Sequence, residues 1–175
     1  MINTSKIIIR PITREDTENI VKWRNSPSVV QNFIFRKPLT KEDHLKWYET
    51  KIKAGNVAQF IIIETDTDKP VGSVYLRDID KENKKAEFGI FIGEDCARGK
   101  GYGTAATALI VKYGFEELDL NRIYLRVFAD NLGAIKCYKK CGFKQEGVFR
   151  EDVIIDGKPY DMVFMGLLKS EWQSE

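Results

Sequence analysis

The sequence is short of what builds disulfide scaffolds, metal centres and membrane spans. Of its 175 residues three are cysteine, Cys96, Cys137 and Cys141, and one is histidine, His44. An odd cysteine count without the paired short spacing of a zinc site or a dithiol motif points to a reduced, cytoplasmic protein, with no metal expected. No stretch approaches the length of a membrane span, and Met1 to Lys6 has no apolar core of signal-peptide length. The reading is therefore a soluble, unprocessed chain without a membrane partner. Neither sign of charge is in excess: 28 Lys+Arg stand against 26 Asp+Glu, a formal +2 that is too small a bias to indicate nucleic acid. What is present, 43% hydrophobic and 11% aromatic residues, suffices for one packed domain over residues 1–175.

Periodicity and punctuation predict a mixed α/β domain around one central, mostly antiparallel sheet of about seven strands, flanked by about four helices. Lys6 to Ile12 is rich in isoleucine and reads as a buried first strand. Thr13 opens a helix, with Asp16 three residues on as in a capping box, and this helix lasts until Asn25-Ser26-Pro27. Ser28 to Leu39 reads as a connector, and a second helix runs from Thr40 to Gly55-Asn56. Strands follow at Ala58 to Glu64, Val71 to Leu76 and Ala86 to Gly93, then a long helix from Gly103 to about Leu118. A strand (Ile123 to Phe128), a helix (Leu132 to Lys140) and two strands joined at Asp156-Gly157 (Lys144 to Ile155, Pro159 to Leu168) complete the chain.

The most informative segment is Glu94-Asp95-Cys96-Ala97-Arg98-Gly99-Lys100-Gly101-Tyr102-Gly103-Thr104, between an apolar strand and a helix. Its glycines let backbone N–H groups turn toward one point, and the start of the helix adds free donors and a partial positive end. Such a loop suits a phosphate, although a plain strand-to-helix turn is a comparable reading on the glycines alone. A P-loop is excluded because Lys100 is followed by Gly101 rather than Ser or Thr. A dinucleotide fingerprint belongs after the first strand of a βαβ unit, and this loop follows a run of antiparallel-looking strands in mid-chain.

Arg98, Gly101 and Gly103 resemble the pyrophosphate loop of the GNAT family of N-acetyltransferases, Gln/Arg-x-x-Gly-x-Gly/Ala after the fourth strand. Asn131, Ala134, Tyr138, Lys140, Gly142 and Phe143 match that family's second signature, Asn-x-x-Ala-x-x-x-Tyr-x-Lys-x-Gly-Phe. The order of elements agrees from Lys6 to Leu168. The resemblance implies acetyl-CoA as co-substrate and a small-molecule primary amine as acceptor, and leaves a homodimer open. It places the CoA pyrophosphate on the segment Arg98, Gly99, Lys100, Gly101, Tyr102, Gly103 and Thr104, and the pantetheine arm and thioester carbonyl on backbone groups of Ile90, Phe91 and Ile92. Asn131 reads from sequence as a helix N-cap, and by resemblance also touches CoA.

Tyr138 matches the family's general acid, which returns a proton to the leaving thiolate; without the motif it would read as a core aromatic. Glu87 lies among apolar neighbours on the strand leading to the loop, as a general base whose pKa burial would raise or as a carboxylate paired with Lys84 or Lys85. His44 reads as solvated on the polar side of its helix, and Cys137 as packing.

For the acceptor, Thr13 to Lys53 carries nine Lys+Arg against six acids, a net +3 that favours a small anionic amine. Trp23-Arg24-Asn25 with Asp43-His44-Leu45 resembles the GNAT branch that acetylates nucleotide-linked amino sugars, which places Trp23, Arg24, Asn25 and Phe35 at the acceptor. The stretch from Ala86-Glu87-Phe88 to Gly157 is equally similar to spermidine acetyltransferases and to ribosomal-protein N-terminal acetyltransferases. Two readings from other classes stand beside these. One is a catalytically silent acyl-CoA-binding module; the other is an interaction protein that docks a partner through Phe33, Phe35 and Trp47.

Overall fold

The computed structural model describes residues 2–172. Its strands are β1 (Ile2–Asn3), β2 (Ile7–Pro11), β3 (Val57–Glu64), β4 (Lys69–Asp80), β5 (Lys85–Ile92), β6 (Arg122–Phe128), β7 (Lys144–Ile155) and β8 (Lys158–Leu168), and its α-helices are α1 (Thr17–Arg24), α2 (Pro27–Val30), α3 (Lys41–Trp47), α4 (Tyr102–Glu116) and α5 (Leu132–Lys140). The strands form one sheet in the order β1-β2-β3-β4-β5-β6-β8-β7. Every neighbouring pair is antiparallel except β5 with β6, which is parallel.

The strands buried on both faces explain the run Phe60-Ile61-Ile62-Ile63. Successive side chains point to opposite faces. Ile62 joins the larger core under α4 with Ile9, Leu76, Ile110 and Phe115. Ile61 and Ile63 join the smaller core under α1 and α2 with Ile20, Trp23, Val29 and Phe91. An element clothed on both sides gains nothing from polar alternation, so it reads as a continuous apolar run.

Two elements go beyond the sequence reading. The two-residue β1 raises the strand count to eight. The predicted connector from Ser28 begins inside α2, because Pro27 occupies the first turn of a new helix after an extended Ser26 with ψ 140°. A proline there ends one helix and starts the next, since its fixed φ suits the first helical position. The capping box at Thr13 and Asp16 is present, although it opens a 3-10 turn (Arg14–Asp16) that leads into α1.

One irregularity positions the site. β5 pairs with β6 only at Lys85, Ala86 and Glu87, and beyond them the two parallel strands part. On its other side β5 stays paired with β4 as far as Ile92. The β6-facing edge of Phe88 to Ile92 therefore has no strand against it. An opening beyond the carboxyl ends of parallel strands is where open α/β sheets take ligands.

Candidate active site

A groove of about 990 Å³ fills this opening and runs from the Arg98–Thr104 loop, past β5 and α5, to the side chains of α1 and α3.

At one end stands the start of α4. Gly99 and Gly101 have φ of +75° and +85°, a left-handed backbone that glycine adopts at little cost, and Gly101 occupies the N-cap position. No side chain caps α4 and no acid sits in its first turn, whereas α3 and α5 are capped by Thr40 and Asn131. The first N–H groups of α4 are thus left for a ligand. Arg98 lies beside them and donates to the Ile92 carbonyl at 3.0 Å. The side chains of Lys100 and Tyr102 turn away to Glu64, Lys100 at 3.0 Å and Tyr102 through its phenol, while their backbone amides stay in the loop. They brace the loop against β3. Asn131 caps α5 by accepting from the Ala134 N–H at 3.2 Å, and its amide donates to Asn32 Oδ1 at 3.1 Å.

In the middle, Tyr138 lines the groove with its ring edge-on to Phe88, centroids 5.5 Å apart. Burial, and secondarily Cys137 beside it, pushes the phenol above its ordinary range. A protonated phenol is the form that a proton donor requires. Cys137 Sγ lies 3.3 Å from Thr104 Oγ1, where α5 meets the start of α4. Glu87 is buried, which favours the first of its two readings over the exposed one, and its partners are not lysines. Its Oε1 accepts from Arg77 Nη2 at 2.9 Å and lies 3.4 Å from Arg126 Nε. Lys84 pairs with Asp119 instead.

At the far end the predicted acceptor residues separate. Arg24 and Phe35 line the groove; Trp23 and Asn25 do not. Trp23 is 1% exposed, stands edge-on to Phe91 and donates to Glu94 Oε1 at 2.7 Å. It fixes α1 to the segment after β5, and an indole committed to packing cannot stack on substrate. Asn25 bonds the backbone of Leu39 twice, at 2.8 and 2.9 Å, closing the connector like a clasp.

His44 is a further correction. It is 3% exposed and lines the groove, with Nδ1 3.0 Å from Thr17 Oγ1. The helical face assigned to solvent faces α1, because α3 packs beside it. Of the aromatics offered as a docking surface only Phe35 is largely exposed; Phe33 packs 5.9 Å from Phe91 and Trp47 reaches Gln59.

The sequence reading missed Gln59, Tyr75, Arg77 and Arg126, all in the groove wall. In β4 and β6 their signal was present as polar side chains at every second position, Ser73, Tyr75 and Arg77 in one and Arg122, Tyr124 and Arg126 in the other, whereas Gln59 stands alone in the apolar β3. Which face they shared depended on register, which the sequence does not give.

The family model for the acetyltransferase (GNAT) domain matches residues 6–144. A spermidine N(1)-acetyltransferase of Escherichia coli (strain K12) is 31% identical over 176 residues, spanning 100% of this chain and 92% of its own. The crystal structure of a spermidine N-acetyltransferase from Vibrio cholerae in complex with CoA and spermine has the same fold, with a TM-score of 0.89 at 26% identity over 96% of this chain and 98% of that one. A dodecameric structure of the Vibrio cholerae enzyme in an intermediate state matches with a TM-score of 0.81 at 27% identity, over 95% of this chain and 96% of that one.

Proposed function

Because the chain belongs to the GNAT acetyltransferase family and is an acetyl-CoA-dependent N-acetyltransferase, we propose that the groove between β5, α4 and α5 is its active site, with Tyr138 as proton donor. The observation that carries this reading is the parting of β5 from β6 directly in front of an uncapped α4.

In this reading the amides of Gly101 to Thr104, with Arg98, hold the pyrophosphate. The backbone edge at Ile90, Phe91 and Ile92, without a strand against it and held only at the Ile92 carbonyl by Arg98, pairs with the pantetheine arm as an added strand would. The thioester then lies beside Tyr138. The amine forms a C–N bond to the acetyl carbon, the C–S bond breaks, and Tyr138 protonates the departing thiolate. Glu87, ion-paired to two arginines, orders the floor of the acceptor end; the ammonium first gives one proton to water, and the second proton, shed by the nitrogen as the amide forms, restores the Tyr138 phenol.

The acceptor is a small primary amine. The spermidine acetyltransferases among the relatives support a polyamine ahead of the nucleotide-linked amino sugar to which net charge points. An oligomer is the expected assembly, supported by the dodecamer of the Vibrio cholerae relative.

The test is release of free CoA thiol from acetyl-CoA with a panel of primary amines. Amine-dependent release is expected. Tight acetyl-CoA binding with no release for any amine would make the chain a silent binding module.

A further inference from the structure

The acceptor end of the groove is short of free negative charge. Its lining contains two acids, Asp43 and Glu87, and both are engaged. Asp43 Oδ2 accepts from the Thr40 N–H at 3.3 Å and the Thr40 hydroxyl at 2.9 Å. Glu87 lies between Arg77 and Arg126. A polyammonium chain entering here would find Glu87 already ion-paired and only Asp43, which caps its own helix, to receive its charges.

Cationic and polar groups at the same end are the ones without partners. Arg24 Nη1, His44 Nε2 and Arg77 Nε are the buried side-chain atoms without a hydrogen-bond partner among the described residues. All three residues line this groove. The Arg24 guanidinium carbon sits 3.4 Å from the centroid of the Phe33 ring, and no carboxylate among the described residues lies within ion-pair distance of it. A guanidinium seated over an aromatic ring at a groove wall is suited to two-pronged binding of a carboxylate or phosphate. His44 supplies the opposite chemistry. Thr17 Oγ1 gives its hydrogen to the Arg14 carbonyl at 2.7 Å, so it accepts from His44 Nδ1–H and leaves Nε2 as a bare acceptor.

We infer that the acceptor of this chain carries an anionic group, a carboxylate or a phosphate, which Arg24 receives, together with a hydroxyl or N–H donor that meets His44 Nε2. This rests on the acetyl-transfer reading and departs from the polyamine of the relatives. The residues that select the acceptor lie on α1 and α3, away from the parts that hold acetyl-CoA. One scaffold can therefore serve acceptors of opposite charge.

The test compares matched amines: putrescine with 4-aminobutyrate, glucosamine with glucosamine 6-phosphate, and spermidine. At least one anionic member should exceed both its partner and spermidine in kcat/KM by about ten-fold or more. Arg24→Gln should lower that anionic-to-neutral ratio by about ten-fold, with partial recovery in Arg24→Lys. The winning pair tells carboxylate from phosphate. Spermidine as best acceptor, or an unchanged ratio in Arg24→Gln, would overturn the inference. If no amine is acetylated, the acetyl-transfer reading fails on its own account. Calorimetry of the two anionic amines on CoA-loaded protein then decides the acceptor question: binding lost in Arg24→Gln supports it, and no binding to the wild type overturns it.

Discussion

Tyr75 and Gly89 face each other across β4 and β5, and a side-chain carbon on Gly89 would fall 2.3 Å from Tyr75 Cζ. The tyrosine ring occupies the space that the glycine vacates, and both residues line the groove. Gly89→Ala should therefore displace the ring. The expected cost is about 1–3 kcal/mol of stability from overpacking, read as a lower denaturation midpoint, with a raised KM for the amine and little change for acetyl-CoA. Unchanged midpoint and KM would show that the ring moves freely and shapes nothing.

At Gly103 the opposite holds. An added carbon there meets only Cys137 Sγ, 4.0 Å away, so the fold accommodates a side chain while the approach to the α4 amides is obstructed. Gly103→Val should stay folded and lose acetyl-CoA affinity by about ten-fold or more. Calorimetry checks this. Wild-type affinity in the folded variant would remove the loop from the binding account.

Cys137 is held below the ordinary thiol range, chiefly by the Cys141 thiol and then by the Thr104 and Thr107 hydroxyls. Its pairing favours the thiolate, so the charged form appears as pH rises through a value below the usual figure of about 8.5. Iodoacetamide labelling of Cys137, measured in Cys96→Ser protein, should reach half its plateau rate below that pH and slow under saturating acetyl-CoA. A midpoint at or above the free-thiol value would contradict the assignment.

Glu64 braces the phosphate loop, and bonds from Thr67, Tyr102 and Lys100, in that order, lower its pKa from 4.5 to about 2. The folded value lies below the unfolded one. Its contribution is thus complete above the unfolded pKa and is lost as pH falls from 4.5 toward 2. Glu64→Gln should flatten the loss of stability over that window, as followed by urea unfolding. An acid limb identical to wild type would show that the brace carries no weight.

The parts of the fold set by local chemistry were legible from sequence. α5 was read from Leu132 to Lys140 and β7 from Lys144 to Ile155, as found, because Asn131 caps one and the Asp156-Gly157 turn closes the other. The glycine loop between β5 and α4 was legible for the same reason, with Gly99 and Gly101 in left-handed backbone ahead of an uncapped helix. The acceptor end was hidden. Trp23 was legible on the apolar stripe of its helix, but only its bond to Glu94 shows that the indole is committed to packing, and only the packing of α3 against Thr17 decides that His44 is buried. Arg77 and Arg126 meet at Glu87 through strand register, a long-range property that neighbours in sequence do not reveal.

The central claim is that the groove beside Tyr138 performs acetyl transfer with that phenol as proton donor. Burial holds the phenol above its ordinary range, so it stays protonated throughout a neutral assay. Tyr138→Phe removes the proton while keeping the ring packed on Phe88 and Phe143. The direct measurement is turnover and acetyl-CoA affinity on the same preparation of this variant. Turnover lower by about two orders of magnitude or more at nearly unchanged affinity is the predicted result; wild-type turnover would contradict it and leave Tyr138 a packing residue.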